Sequence, residues 1–493
     1  MGKCKTVWNR RDRGSCSTVI VGKDASVTGR VLLGHNEDDY DCTVQVHMVP
    51  RVKHKEGDTI TFGDAGAVIP EVAETYAYYW SEMRAIDGIS FADGFVNEWG
   101  VAVVSNSCRP CKVSEDDPQK DGLGYGLRRL IAERARTARE GVEIAAELVE
   151  KYGYFSARCY QICDKEEGWS FQVTTGPRYA ARRVQDDEVY FIPNWYTIHE
   201  IDWNDTEHKN YYFSPDLVEY PIRRGWYTPA KEGDFSDFDF AAAYQQEADD
   251  THNILRTRNA WRLLGHELTE ARPFSYKLDR KLGIEDLKTV LRSHYEGTED
   301  AAGPDYSVNP HRVDPNPVSL CNTMTAESSI VEFAEEAALT CIWRSCPKPC
   351  IGPYVPFYAG ITTPPKGYSW LDPQIAQKTH FCPAAEELAY DPTRAYWAFR
   401  TLQYLTEFDY QGAHQLLHAS IAEMEKGWAA EQPAVREAYR KLAAEDPQGA
   451  AAYLTGYTAA KAQAAWDWAN AMIQKIGERK IIDNNDSLKP LYE

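Results

Sequence analysis

Two short apolar runs, Val19-Ile20-Val21 and Val31-Leu32-Leu33, flank a polar, glycine-containing stretch from Lys23 to Gly29. β-rich runs separated by turn residues predict a hairpin. With its turn centred near residues 26 and 27, antiparallel pairing sets Cys16 opposite residue 37, within one or two positions. A thiol at the head of one strand then lies beside a carboxylate in Gly34-His35-Asn36-Glu37-Asp38 at the end of its partner. Strand-like sequence continues to about residue 110 and ends in Gly100-Val101-Ala102-Val103-Val104-Ser105-Asn106. The period then changes. Leu127, Leu130, Ile131, Ala135, Ala138, Val142, Ala145 and Val149 recur at helical spacing, which predicts one long helix stopped by Gly153. Strands are predicted again at Trp169–Val173, where apolar and polar residues alternate, and at Glu188–Ile192, which Pro193-Asn194 terminates. Segments 200–210, 231–251 and 296–317 are acidic or rich in Pro and Gly and read as loops. From about residue 384 to 480 helical faces return, among them Ala395/Ala398/Phe399/Leu402/Leu405 and Ala465/Trp468/Ala469/Met472/Ile473/Ile476. This order of elements predicts sheets covered by helices, with a helical tail.

Composition narrows the class of partner. The chain has 493 residues, 43% of them hydrophobic, enough for a large core. Its formal charge of -20 argues against nucleic-acid backbones and anionic membrane surfaces, both of which need basic patches. No run approaches the roughly 18 consecutive apolar residues of a membrane span. Residues 1–15 carry Lys3, Lys5, Arg10, Arg11 and Arg13 but no apolar core, so they do not read as a secretory signal and a cytoplasmic location is expected. The 12 cysteines fit that address as free thiols, although an even count suits an oxidised protein as well and spacing does not decide between them. Cys108/Cys111, Cys159/Cys163 and Cys346/Cys350 have half-site spacing, but no two pairs have the separation of a zinc finger or ribbon, and no metal is expected.

The chemistry turns on Cys16. A thiol with an ordinary pKa of about 8.5 needs a base or a cationic neighbour to act as a nucleophile. One solution makes the cysteine the first residue of the mature chain, because a free α-amine titrates near about 8 within reach of its own side chain. That solution requires removal of residues 1–15, a basic leader ending Gly14-Ser15.

The opening Cys16-Ser17-Thr18-Val19-Ile20-Val21-Gly22-Lys23 with Gly34-His35-Asn36-Glu37-Asp38 resembles that of the PepD-type dipeptidases. These are N-terminal-nucleophile cysteine peptidases related to secernins and, more distantly, to penicillin V acylase and bile salt hydrolase. Further similar segments follow in order: Asn97 to Val103, Leu130 to Glu140, Phe191 to Asn194, Arg258 to Arg262, His294 to Thr298, Thr325 to Ser329 and Pro353 to Tyr358. The resemblance implies an α+β fold, a four-layer αββα sandwich, and hydrolysis of dipeptides with no metal or organic cofactor. By residue, it implies Cys16 as nucleophile, Asp38 as the carboxylate holding the new α-amine, Asn194 beside the nucleophile, Asn106 as an oxyanion donor and Arg258 as the cation near the thiol. Arg256 and Arg262 are further cation candidates, either for the thiol or for a dipeptide's carboxylate. His35 stands where relatives often carry Arg and is expected to pack. The expected organisation is a leader (1–15), a hydrolase domain (16–383) and a C-terminal helical region (384–493) packing on it. Small peptides are the expected partners, with nucleic acid and membrane excluded and a homo-oligomer left open. Two other readings remain: an N-acyl amide hydrolase with the same nucleophile, and a non-catalytic, secernin-like interaction protein.

Overall fold

Ser17–Val21 pairs antiparallel with Leu32–Asp38, Ser17 opposite Asn36 and Val21 opposite Leu32. One further step of that register sets Cys16 opposite Glu37, as the hairpin's turn residues predict. Every residue of both strands is buried, including the polar run His35-Asn36-Glu37-Asp38. The reason is position: the hairpin is central in a seven-stranded antiparallel sheet, flanked by Glu188–Ile192 on one side and Thr325–Glu332 on the other. Ser275–Lys277 closes one edge, and Cys341–Ser345 and Val355–Tyr358 complete the other. The computed structural model describes residues 16–492 apart from 40–41, 86–92, 109–110, 114–121, 247–250, 269–272, 302–308 and 312–318. The leader, residues 1–15, lies outside the described residues.

A second antiparallel sheet of eight strands runs in the order Tyr211–Phe213, Tyr179–Val184, Gly168–Val173, Arg158–Cys163, Ala102–Ser107, Gly94–Asn97, Tyr78–Ala85 and Cys42–Val49. Val19, Ile20 and Leu33 of the first sheet share one apolar cluster with Val46, Tyr79 and Val104 of the second. Val101 and Val103 point the other way, into a separate cluster with Leu130, Val142 and Val149 of the covering helices. Successive strand residues face opposite sides, so the unbroken apolar run Val101 to Val104 marks a strand covered on both faces. The first sheet is covered in turn by helix Ile284–Arg292. Gly34 permits that approach, since a Cβ there would sit 3.1 Å from Leu287 Cδ2. The result is a four-layer αββα sandwich.

Two expectations need correction. The single long helix is two, Leu127–Arg134 and Ala138–Tyr152, because Thr137 Oγ1 accepts the Glu140 N–H at 3.1 Å and caps a new helix there. Gly153 does end the second, with φ +69°. Within 231–251 a short helix, Phe240–Tyr244, forms on the cap Asp239. The C-terminal region is helical as its periodicity predicts, over Ala395–Phe408, Tyr410–Glu445 and Pro447–Tyr492. Ala395, Phe399, Leu402, Ala465, Ala469, Met472 and Ile476 join the same apolar cluster as the sheets. The tail therefore packs on the sandwich. No helix among the described residues is long and apolar enough to cross a membrane.

Candidate active site

Strand pairing assembles the site. Cys16 is buried just before the first strand, and Thr18 pairs with Ile192, so Asn194 is drawn to the same end of the sheet. Arg256, on helix Thr251–Leu264, ties the two together. Its Nη1 donates to the Cys16 carbonyl at 2.7 Å, and its Nη2 donates to Asn194 Oδ1 at 2.7 Å and Asn253 Oδ1 at 2.5 Å. Asn194 Nδ2 donates to the carbonyl of Ser107 at 2.7 Å and to its hydroxyl at 3.1 Å. Cys16, Asn194 and Arg256 thus form one cluster at the seam between the sheets.

Asp38 closes the other side. Its Oδ2 accepts Asn322 Nδ2 at 2.7 Å, while its Oδ1 is buried with no hydrogen-bond partner among the described residues. Burial pushes the Asp38 carboxyl up to about 6, against the hydrogen bond from Asn322 and the charges of Arg256 and Lys348. The Cys16 thiol is also pushed up, first by burial and then by the charges of Glu37 and Asp38; a backbone hydrogen bond from Asp38 and the charge of Arg158 oppose this. The thiol as placed is therefore protonated and needs a base.

His35 is not free to be that base. Thr18 Oγ1 donates to Asn106 Oδ1 at 2.6 Å, so its only proton is used. The contact of 2.6 Å between Thr18 Oγ1 and His35 Nδ1 must then be donated by the ring. His35 Nε2 is left as an acceptor facing Glu37 Oε1, and Glu37 must carry a proton to bond it. The electrostatics agree: burial lowers the His35 ring to about 3 and raises the Glu37 carboxyl well above its usual range, despite Arg128 and Arg158. His35 packs, as expected, within a neutral relay Glu37–His35–Thr18–Asn106.

Asn106 accordingly spans the two sheets. Its Oδ1 accepts Thr18 and Gln161, and its Nδ2 donates to the Ile192 carbonyl at 3.3 Å, not into open space. Arg258 is not brought to the thiol at all. It bonds both oxygens of Asp300 at 2.5 Å and is 38% exposed, because residues two apart on a helix point about 200° apart. Asn253, Arg256 and Ala260 form the inward face, so Arg256 occupies the place expected of Arg258. Sequence reasoning passed over Asn253, Asn322, Arg128 and Arg158. The last two donate to one acceptor, Ser105 Oγ, at 3.3 and 2.8 Å. Nothing local in sequence marks these four; their neighbours come from distant segments.

A protonated thiol stands at the head of the first strand of an αββα sandwich, ringed by carboxylates, amides and buried arginines, a site that suits a cysteine hydrolase. The chain belongs to peptidase family C69, whose family model matches residues 15–423. It is similar to a probable dipeptidase of Latilactobacillus sakei, 26% identical over 462 residues that cover 91% of each chain. A probable dipeptidase B of Lactococcus lactis subsp. lactis is 27% identical over 423 residues, 82% of this chain and 83% of the relative. Among solved structures, a conjugated bile acid hydrolase from Clostridium perfringens aligns with TM-score 0.31 and 12% identity over 67% of this chain and 89% of that one.

Proposed function

We propose that the protein is a dipeptidase in which Cys16 attacks the peptide bond and the α-amine of Cys16, freed by removal of residues 1–15, is the general base. The observation that carries this reading is the vacant acceptor of Asp38. A buried carboxylate oxygen without a partner costs about 1–3 kcal/mol. An ammonium or amine at Cys16 N is a donor that would satisfy it. The Arg256 bond to the Cys16 carbonyl supports the same reading, since it anchors the residue whose amine must not move. The family match leaves residues 1–14 outside it, and the relatives are named for dipeptide hydrolysis.

In this mechanism the α-amine takes the proton from Cys16 Sγ as the sulfur bonds to the scissile carbonyl carbon. The ammonium then protonates the leaving nitrogen as the C–N bond breaks, leaving a thioester. Water, deprotonated by the same amine, attacks the thioester and the thiol is regenerated. Asp38 orients the amine but also raises its pKa; Arg256 and Arg158 oppose that rise and keep part of it as free base. An amide donor turned to the oxyanion contributes about 3 kcal/mol, and Asn194, held beside Cys16 by Arg256, fills that role when Nδ2 exchanges its 3.1 Å bond to the Ser107 hydroxyl for the oxyanion. Residues 16–383 form the catalytic body in this reading, with 384–493 an extension packed on it.

The test is turnover of free dipeptides by wild type and Cys16→Ala, beside the same dipeptides with the amino group acylated. Loss of activity in Cys16→Ala and on acylated substrates is expected. Preference for the acylated substrates would make the protein an N-acyl amide hydrolase instead. No turnover of either class by a chain beginning at Cys16 would favour a non-catalytic protein.

A further inference from the structure

A second cluster lies behind the Asp38 side of the site. We propose that His294, His311, Cys321 and Cys350 bind one structural zinc ion. Their ligand atoms, all buried, lie within 4.8 Å of one another. His294 Nε2 and His311 Nε2 are 3.1 Å apart, the two sulfurs 3.4 Å, and His311 Nε2 is 3.4 Å from Cys350 Sγ and 3.8 Å from Cys321 Sγ. A tetrahedral zinc with ordinary Zn–N and Zn–S bonds separates its ligands by about 3.3 Å (N to N), 3.6 Å (N to S) and 3.8 Å (S to S). Four of the six separations stand close to those values, and the two from His294 to the sulfurs lie within 4.8 Å.

The outer contacts point to a cation at its centre. Glu296 Oε1 lies 2.9 Å from His294 Nδ1, and Glu407 Oε1 lies 3.0 Å from His311 Nδ1. A carboxylate on Nδ1 holds the proton there and turns the Nε2 lone pair inward, the pairing that orients metal-bound histidines. Two lone pairs facing each other at 3.1 Å repel, and a cation between them removes the conflict. Two thiolates and two neutral imidazoles balance Zn²⁺ exactly in charge, so the buried centre is neutral once each thiol releases its proton to solvent. Four protein ligands leave no open position, which suits structure and not catalysis, and an N₂S₂ tetrahedron favours zinc. A cavity of about 540 Å³ bordered by His294, Glu296 and Cys350 gives an entry path.

The absence of finger-like spacing does not bear on this set, since its ligands come from four separate segments. Cys346, the half-site partner of Cys350 by spacing, donates instead to the Ala326 carbonyl. The position of Cys321 gives the ion a consequence. The next residue, Asn322, holds Asp38, and Lys348 Nζ clamps the carbonyls of Asn322, Thr323 and Thr325. Thr323 Oγ1 donates to the His311 carbonyl, and His311 Nδ1 pairs with Glu407, which joins the same turn to helix Ala395–Phe408. The zinc is a positioning group for Asp38 and a staple for the C-terminal helices.

The test is elemental analysis of the full chain, purified reduced and without chelator, then of the same protein stripped and titrated with Zn²⁺ or Co²⁺. About one zinc per chain is expected, with the visible bands of tetrahedral, thiolate-bound Co²⁺ after replacement. Cys321→Ser and His294→Gln should lose most of the metal, and Cys346→Ser should keep it. The wild-type measurement decides even where a ligand variant fails to fold. Reduced wild type that takes up no Zn²⁺ overturns the proposal, as does a Cys321–Cys350 disulfide in the freshly isolated protein.

Discussion

Glu37→Gln should leave the fold intact and make it more stable as pH rises. In the relay Glu37–His35–Thr18–Asn106 the protons run one way, and Glu37 supplies the first of them. A Gln amide replaces that O–H with an N–H, so the count of hydrogen bonds is unchanged and the cost near pH 4 is about 1 kcal/mol or less. The pH dependence follows from linkage. Glu37 has its folded pKa raised, so above the unfolded value of about 4.3 the unfolded state gives up a proton that the folded state keeps. Wild type therefore loses stability at about 1.4 kcal/mol per pH unit from about pH 4.3 up to the folded pKa. Gln does not titrate. The variant should gain on wild type by that slope, read by urea unfolding from pH 4 to 8. Glu37→Ala, which strands His35 Nε2 and opens a cavity, should cost about 2–4 kcal/mol relative to Gln. A Glu37→Gln variant less stable than wild type by about 3–5 kcal/mol across the range would refute the neutral relay and indicate a buried ion pair.

Other consequences separate the two arginines and the helix contact. Arg256→Met leaves the Cys16 carbonyl and two asparagine oxygens without their donor, and should cost about 3–5 kcal/mol in unfolding and most of the dipeptide turnover. Arg258→Met removes a partly exposed guanidinium from Asp300, which keeps Asn259 Nδ2 as a donor, and should cost about 1 kcal/mol or less, with kcat/KM near wild type. Gly34→Ala pushes a methyl against Leu287 and Leu291 and should destabilise by about 1–3 kcal/mol in the same assay. Thr137→Ala removes a helix cap and should cost about 1 kcal/mol, a loss that Thr137→Ser largely restores.

The hairpin was legible because its information is local: two apolar runs and a polar turn specify both the register and the residue opposite Cys16. The break near Thr137 was written in the sequence too, as Thr-x-x-Glu, but apolar periodicity runs through it and hides the cap. Arg256 and Arg258 show where local reading stops. Helix Thr251–Leu264 carries arginines on several sides, and only its docking on the first sheet decides which faces Cys16. Asn322 is further out of reach, because it meets Asp38 only when segments from both ends of the domain come together, and the His294, His311, Cys321 and Cys350 cluster forms only when separate segments of 294–350 converge in the fold. For His35 the sequence favours packing over substrate contact, and its neutral relay needs the Thr18 and Asn106 contacts across the sheets to be seen.

The central claim is that Cys16 works as an N-terminal residue. Intact-mass analysis of the active protein, paired with dipeptide turnover by Cys16→Ala, tests it most directly. The account predicts an active chain that begins at Cys16 and an inactive variant. A chain that keeps Met1 and hydrolyses dipeptides, or a Cys16→Ala protein that does so, would contradict it.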